Sequence, residues 1–438
     1  MTTSREKIVS RSSLNLGIFK DLEADWVFKR TLTYMGEKAA EIGECLSVAK
    51  RIDETNWISW VDEWAKMAEQ VEKLGYEALQ KGHYISAREC FLRACNYYRT
   101  AEYCDRPSDP RFHRLWMKSR ECFHQACNLF NPPIQDFEIL FEGKRLPGYF
   151  WRPDRSNKKR PTVIVAGGND SSLEEVVYAF GMAAIRRGYN LFTFDHPGHR
   201  GAVHLYPDCI KRHDYEVPYG TALNQIEKLS GVDERIAITG FSFGGFAAIR
   251  VAVHEKRIKA LIPNPPILDP TEALLFGLGK IGRKIPLFLL DKIVEWKLKK
   301  SPLRKSWAEY SAWTGGEHGL KYIDRLKKAA GTLNEGESLW EALQRTNKFV
   351  ITKQDLKNII CPTLAMVGED EGDVMIKQAK EFIDSISSEK KDLYIFRLDK
   401  DGSIDHCQLD NRSRGSQIMF DWLDEVFVYR YEKVKGIR

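Results

Sequence analysis

The sequence lacks several features that would define other classes of protein. No apolar run approaches the roughly 18 residues that cross a bilayer, and the N-terminal segment from Met1 to Lys7 is polar and has no signal-peptide core. A net charge of +6 over 438 residues gives no case for nucleic acid as a partner. The nine cysteines form no C-x-x-C pair, which indicates neither a disulfide framework nor a zinc site. We therefore expect a cytoplasmic protein with buried free thiols.

The composition that remains is that of an ordinary folded protein, with 43% hydrophobic and 29% charged residues. Its length favours one large core with an accessory domain. Residues 1–135 have helical periodicity, and Trp57, Trp60, Trp64 and Met67 form one apolar stripe. Residues 74–94 resemble one tetratricopeptide-type helix–turn–helix. Because a single repeat is not stable alone, we expect this hairpin to pack against a larger body.

After the paired prolines at 132–133 the pattern changes to short apolar strands that alternate with helices. The predicted strands are 137–141, 148–151, 162–166, 189–194, 235–239, 259–263, 362–367 and 393–396. Such alternation is typical of a mostly parallel α/β sheet with helices on both faces. The alternation of strands and helices is interrupted at 268–356, where the sequence is helical in pattern, lysine-rich and aromatic. We interpret this segment as a helical lid. The predicted division is an N-terminal helical domain (1–135), a first core part (136–267), the lid (268–356) and a second core part (357–438).

The segment around Ser242 is the most informative motif. A β-branched run from Ile236 ends at Gly240, Ser242 lies between Gly240 and Gly244, and an alanine-rich helical pattern follows. This strand–turn–helix context is that of a G-x-S-x-G nucleophile elbow, in which a tight turn exposes the serine hydroxyl. The sequence therefore predicts Ser242 as a nucleophile, the alternative being an ordinary glycine turn.

A serine nucleophile needs a base, and in elbow enzymes the chain order is serine, acid, histidine. Three histidines follow Ser242: His254 in the elbow helix, His318 in the predicted lid, and His406 in a loop after the last predicted strand. Only the last position suits a general base, so we predict His406 for this role.

The acid that orients this base is expected just after strand 362–367. Residues 368–373 read Gly-Glu-Asp-Glu-Gly-Asp, and counting three residues past Gly368 gives Glu371. Asp370 is the nearest competitor, and Asp373 is the third candidate. At least two of these carboxylates are expected to be solvated loop charges.

An acyl-transfer site also needs donors for the developing oxyanion. One candidate is the backbone N–H of Phe243, directly after the nucleophile. The other lies in the glycine loop after strand 162–166, where Gly168 and Asn169 are the candidate residues. Alternatively, this loop is an ordinary strand–helix turn capped by a serine.

Two further features have a simpler interpretation. His196 and His199, in Asp195-His-Pro-Gly-His-Arg-Gly, have no neighbouring carboxylate triad, so the loop is predicted to be a tight surface loop near the mouth of the site and not a metal centre. The lysines and arginines between Lys280 and Lys305 are expected to form a solvated helix face, with attraction of an anionic substrate or membrane surface as the alternative. No cofactor is predicted.

Together these motifs resemble the α/β-hydrolase superfamily over residues 137–438. A narrower set of motifs resembles the group that contains 2,6-dihydroxypseudooxynicotine hydrolase and the fungal pigment hydrolases that shorten polyketide chains. The set comprises Gly-Gly-x-Asp-Ser at 167–171, Asp-x-Pro-Gly at 195–198, the elbow, and His-Cys-Gln-x-Asp-Asn at 406–411. The resemblance implies cleavage of an ester or of a carbon–carbon bond next to a ketone. It also implies a homodimer in which the helical domain helps to cover the site.

The sequence thus predicts a serine hydrolase that acts on a medium-sized acyl compound or 1,3-dicarbonyl of secondary metabolism or catabolism. Acyl transfer by the same residues is one alternative. A non-catalytic interaction module built on the tetratricopeptide-like hairpin is another. The Ser–acid–His order favours the enzyme, because a binding module has no need of all three groups.

Overall fold

The computed structural model describes residues 12–107, 109–270 and 349–429. Elements are numbered below in chain order within these residues. The lid predicted over 268–356 lies almost entirely outside them, as do His318 and the basic run between Lys280 and Lys305.

The N-terminal part is helical. Its helices are α1 (Leu22–Leu32), α2 (Ile42–Ala49), α3 (Trp57–Gln80), α4 (Tyr84–Tyr103) and α5 (Pro110–Asn128). Side chains cap several of them: Asp21 accepts hydrogen bonds from the first turn of α1, and Asp109 does so for α5, which begins with Pro110. Helix is thus present where the periodicity predicts it.

Helices α3 and α4 form the predicted hairpin. Their turn contains Gly82, whose φ of 74° lies in the left-handed region that glycine adopts without strain. Trp60 and Trp64 of the predicted stripe are fully buried, at 1% and 0% exposure. The stripe therefore faces a core.

Eight strands form a single sheet in the order β1-β2-β4-β3-β5-β6-β7-β8. The strands are β1 (Gln135–Phe141), β2 (Lys144–Trp151), β3 (Arg160–Ala166), β4 (Asn190–Phe194), β5 (Val232–Phe241), β6 (Ile258–Asn264), β7 (Thr363–Gly368) and β8 (Lys391–Phe396). Strands β1 and β2 form an antiparallel hairpin and β2 pairs antiparallel with β4, whereas all other pairings are parallel. The prediction of a mostly parallel sheet is confirmed.

Helices cover both faces of this sheet. They are α6 (Leu173–Val176), α7 (Met182–Arg186), α8 (Arg200–Leu205), α9 (Glu216–Ile226), α10 (Phe243–His254), α11 (Lys353–Leu356), α12 (Asp373–Ser385), α13 (Leu398–Asp401) and α14 (Arg412–Val426). A π-helical stretch (Val177–Gly181) joins α6 to α7, so the two continue one another.

The alternation of side chains along β3 divides the core into two layers. Val163 and Val165 pack in the same buried cluster as the N-terminal helices, whereas Ile164 and Ala166 belong to a second cluster on the other face. The helical N-terminal part therefore shares a core with the sheet, as expected for a hairpin that packs against a larger body. The exact four-part division of the chain stays a prediction.

The cysteines are free, and eight of the nine are buried; Cys361 is partly exposed. Among the described helices, none combines the length and the apolar character needed to cross a bilayer.

Candidate active site

Ser242 stands at the sharp turn between strand β5 and helix α10. Its φ of 55° and ψ of −123° lie outside the regions that residues other than glycine normally adopt. The backbone is held there because the Ser242 N–H donates to the Asn264 carbonyl at 2.9 Å, while its own carbonyl accepts from Gly245 at 2.8 Å. Such stored strain is typical of functional residues.

The glycines around Ser242 are required by close backbone contacts. A Cβ atom at Gly240 would collide with the Gly244 carbonyl, one at Gly244 with the Ala166 carbonyl, and one at Gly245 with the Pro265 carbonyl. The elbow therefore packs directly against the ends of neighbouring strands. The glycine spacing in the sequence reflects this lack of room.

His406 and Glu371 are paired, and each lies in a short 3-10 helix, His406–Gln408 and Glu369–Glu371 respectively. Nδ1 of His406 lies 2.6 Å from Oε2 of Glu371, and Oε1 of Glu371 accepts the Gly368 N–H at 3.1 Å. Glu371 is 2% exposed. Burial disfavours the charged imidazole, but the neighbouring Cys407 and Glu371 groups outweigh it and raise the pKa of His406 above its ordinary value.

The two rival carboxylates lie in different surroundings. Asp370 is buried, and its Oδ2 accepts hydrogen bonds from the backbone N–H and the hydroxyl of Ser13, at 2.6 and 2.5 Å. Asp373 begins helix α12 and is exposed to solvent. The geometry favours Glu371 as the partner of His406.

Ser242 and His406 line one cavity of about 50 Å³. Its wall in the described part of the chain includes Gly168 and Phe241 of the core, and also Trp26, Arg30 and Tyr34 from the N-terminal part. The serine and histidine predicted from sequence thus meet at a common cavity. The N-terminal contribution to its wall was expected only from the resemblance.

The glycine loop after β3 lies beside the candidate nucleophile. A Cβ atom at Gly168 would come within 3.1 Å of the Ser242 Cβ and 3.0 Å of the Phe241 carbonyl. Phe243 is the first residue of α10, where backbone N–H groups have no partner within the helix. Gly168 is buried, and Asn169 and Phe243 are partly exposed. The loop that carries Gly168 and Asn169, and the first residue of helix α10, Phe243, therefore both border Ser242.

The loop Asp195–Gly201 is not the surface loop that we predicted. Asp195, His196, His199 and Arg200 are each at most 2% exposed. Burial is possible because the polar groups satisfy one another: Nδ1 of His199 pairs with Asp195, Nε2 of His199 lies 3.0 Å from the Ser171 hydroxyl, and Arg200 pairs with Glu102. The proline–glycine pattern indicates a turn, but these tertiary partners decide where the turn lies.

This buried loop supports the glycine loop. Ser171 Oγ donates to the Gly168 carbonyl at 3.2 Å, and His199 packs so closely that a Cβ atom at Gly167 would collide with its ring. In the described residues, no group of three potential metal ligands converges. His196 and His199 instead contact the loop that carries the candidate oxyanion donors.

Charged residues of the N-terminal helices fix the other side of the glycine loop. Arg30 binds Glu175 through two nitrogens at 2.7 Å and lies 3.1 Å from Asp170, while Arg99 contacts Glu175 at 3.1 Å. Tyr103 donates to the Asp170 carboxylate at 2.9 Å. Sequence reasoning missed these arginines, since local periodicity does not show which distant helix faces a loop.

Comparisons with known proteins identify hydrolases that are similar to this chain over most of its length. Hydrolase LUC6 of a Fusarium species is 28% identical over 92% of this chain and 96% of its own length. The 20-hydroxy-prefusarin hydrolase FUS2 of Gibberella moniliformis is 28% identical with the same coverage. The crystal structure of 2,6-dihydroxy-pseudo-oxynicotine hydrolase superposes with a TM-score of 0.66 at 22% identity, covering 93% of this chain and 100% of that one.

Fold and relatives define the class of this protein as a hydrolase of the α/β-hydrolase fold. The model of the FrsA-like esterase family matches residues 52–301, which is more than half of the 438 residues. The chain belongs to the FrsA-like esterase family.

Proposed function

We propose that this protein is a serine hydrolase in which Ser242 is the nucleophile, His406 the general base and Glu371 the acid that orients it. The observation that carries the proposal is the 2.6 Å hydrogen bond between His406 and Glu371 at a cavity that a strained Ser242 also lines. The backbone N–H groups of Phe243 and of the Gly168–Asn169 loop stabilise the oxyanion.

The mechanism follows from these roles. Ser242 Oγ attacks the substrate carbonyl carbon while its proton passes to Nε2 of His406, and the carbonyl oxygen becomes an oxyanion. Because Nδ1 donates to Glu371, Nε2 is the nitrogen that accepts this proton. When the tetrahedral intermediate collapses, the bond to the leaving group breaks and His406 returns the proton to that group. Water then attacks the acyl-enzyme by the same route.

Ester and carbon–carbon cleavage differ only in the leaving group. An ester releases an alcohol, whereas a 1,3-dicarbonyl releases an enolate that the adjacent ketone stabilises. FUS2, a relative along nearly its full length, is named as a hydrolase of 20-hydroxy-prefusarin. This supports a medium-sized, polyketide-like acyl substrate and a place in secondary metabolism. The homodimer and the lid over 268–356 stay predictions.

A fluorophosphonate probe tests the nucleophile. We expect the wild type to be labelled at Ser242, the Ser242→Ala variant to be unlabelled, and His406→Ala to react at least 100-fold more slowly. Ser230→Ala, at an exposed serine, is the matched control and should label normally. A wild type that is not labelled, or that is labelled equally fast without His406, would refute the proposal.

Product analysis then separates the possible reactions. A panel of p-nitrophenyl esters and aryl 1,3-diketones, followed by mass spectrometry, distinguishes ester from carbon–carbon cleavage. Added alcohols or amines report acyl transfer if they appear in the products. Absence of turnover together with tight ligand binding would favour the non-catalytic module.

A further inference from the structure

The cavity is bordered by arginines that differ in how their charge is balanced. Arg30 lines it and is neutralised by Glu175 and Asp170, and Arg99 behind it contacts Glu175. Buried guanidinium groups are normally compensated in this way, because an unpaired buried charge is costly. These two arginines therefore have a structural explanation.

Arg412 lines the same cavity without such a partner. Its Nη1 donates to the Cys407 carbonyl at 2.7 Å, but its buried Nε has no hydrogen-bond partner among the residues that the structure describes. Across the described ranges, no ion pair joins Arg412 to a carboxylate. Burial lowers the pKa of this guanidinium, although an arginine remains charged at physiological pH.

Aromatic rings hold Arg412 in position. Its Cζ lies 3.8 Å from the centroid of the Phe180 ring and 5.3 Å from that of Phe241, and these two rings stack at 3.5 Å. Phe241 directly precedes Ser242. Stacking supports the face of the guanidinium while its edge, which carries the N–H donors, stays available for hydrogen bonds. The group is thus a fixed cation beside the candidate nucleophile.

We propose that Arg412 binds a negatively charged oxygen of the substrate, a carboxylate or an enolate, and so gives the site a preference for anionic over neutral acyl compounds. The inference rests on the proposed function of Ser242. The fixed N–H donors match the charge and geometry of such an oxygen. The ligand would supply a directly bonded countercharge, whereas Glu175 and Glu37 act on Arg412 only through space. Arg412 is a specificity-determining residue in this proposal.

Paired substrates test the preference. For p-nitrophenyl hemisuccinate and p-nitrophenyl butyrate, we expect Arg412→Met to lower kcat/KM at least tenfold more on the carboxylate ester than on the neutral one. Arg412→Lys, which keeps the charge, should recover part of the difference. Arg414→Met is the matched control, because Arg414 lies on helix α14 like Arg412 but pairs with Asp401 of α13. Equal losses on both esters, or no loss on either, would exclude a substrate carboxylate as the group that Arg412 binds.

A second pair of measurements separates the two sources of negative charge. Turnover of 1-phenyl-1,3-butanedione, compared with that of its 2,2-dimethyl analogue, which cannot form an enolate between its two carbonyls, reports binding of the substrate enolate. If Arg412→Met lowers kcat/KM tenfold more for the carboxylate ester than for the neutral ester, and the diketones show no such difference, Arg412 binds carboxylates. If the selective tenfold loss of kcat/KM is confined to the enolisable diketone, Arg412 binds enolates. Loss in neither comparison refutes the proposal.

Binding without turnover distinguishes failure of this inference from failure of the proposed function. Calorimetric titration of Ser242→Ala with benzoylacetate should give binding that weakens at least tenfold when Arg412→Met is added. If the wild type hydrolyses no substrate but this difference is found, only the proposed function fails. If substrates are hydrolysed and the titrations do not differ, only the role of Arg412 fails.

Discussion

Lys29 and Asp405 form an ion pair, with Nζ of Lys29 2.5 Å from Oδ2 of Asp405. Asp405 directly precedes the candidate base His406. The two side chains are 11% and 0% exposed. Helix α1 contacts the glycine loop as well, through Arg30 and Asp170, and Ser13 binds Asp370. The N-terminal part thus fixes the loops that carry the candidate acid, base and oxyanion donors.

Replacing Lys29 should destabilise the fold in a pH-dependent manner. Burial raises the pKa of Asp405 to about 6, although Lys29 opposes this shift. Lys29→Met should therefore cost about 3 kcal/mol at pH 8, where Asp405 is charged, and much less at pH 5, where it is protonated. Urea unfolding at both pH values measures this. Lys29→Met/Asp405→Asn should lose less stability and show little pH dependence; a pH-independent loss in Lys29→Met contradicts the prediction.

Glu371 should control the acidic limb of the activity profile. Activity requires neutral His406 and is lost as the pH falls through its pKa, which is raised above the ordinary value. Glu371→Gln removes a charge that raises this pKa, so the limb should move to lower pH while kcat falls on the order of 10³-fold. A pH series of kcat/KM measures both changes.

Variants of the neighbouring carboxylates identify the acid. Asp373→Asn changes an exposed residue and is the control. If Asp370→Asn rather than Glu371→Gln moved the acidic limb, the acid would be Asp370.

His199 should act as a positioning residue for the oxyanion loop. Nε2 of His199 lies 3.0 Å from Ser171, whose hydroxyl donates to the Gly168 carbonyl. His199→Ala should lower kcat about tenfold to 100-fold with little change in KM, because a small displacement of oxyanion donors is costly in the transition state. His199→Asn, which retains a donor, should recover part of the loss. His254→Ala, at an exposed histidine, is the control; an unchanged kcat in His199→Ala contradicts the role.

Two glycine substitutions should have opposite effects. Gly240→Ala forces a Cβ atom into the Gly244 carbonyl and should cost about 4 kcal/mol or prevent folding. Among the described residues, a Cβ atom at Gly220, inside helix α9, meets only Glu255, at 3.8 Å, so Gly220→Ala should stabilise the protein by about 0.5–1 kcal/mol. Urea unfolding compares them. Equal effects would show that the elbow tolerates a side chain.

The sequence predicts the sheet well because its strands are short, apolar and β-branched, and because each is bounded by turn residues. Strand β5 and the elbow at Ser242 can be predicted for the same reason, because an apolar β-branched run ends there at a glycine turn. His406 was predicted from its place in the chain order, and counting past Gly368 led to Glu371, which the structure places against His406. The roles of these residues in catalysis stay predictions.

What escaped prediction depends on partners that are distant along the chain. The loop Asp195–Gly201 has the composition of an exposed turn. It is buried because Arg200 pairs with Glu102 and His199 contacts the Ser171 hydroxyl. In the sequence, Arg412 is an ordinary arginine at the start of a helix. Its contact with Phe180 and its place at the same cavity as Ser242 are visible only in the structure. Periodicity describes one element at a time, so it does not report such pairs.

Trp26, Arg30 and Tyr34 belong to the wall of the cavity that Ser242 and His406 also line. The shape of the cavity is therefore determined in part by residues that lie more than 200 positions before Ser242 in the sequence. As a consequence, substitutions at these three N-terminal positions can reshape the cavity while the residues around Ser242 stay unaltered.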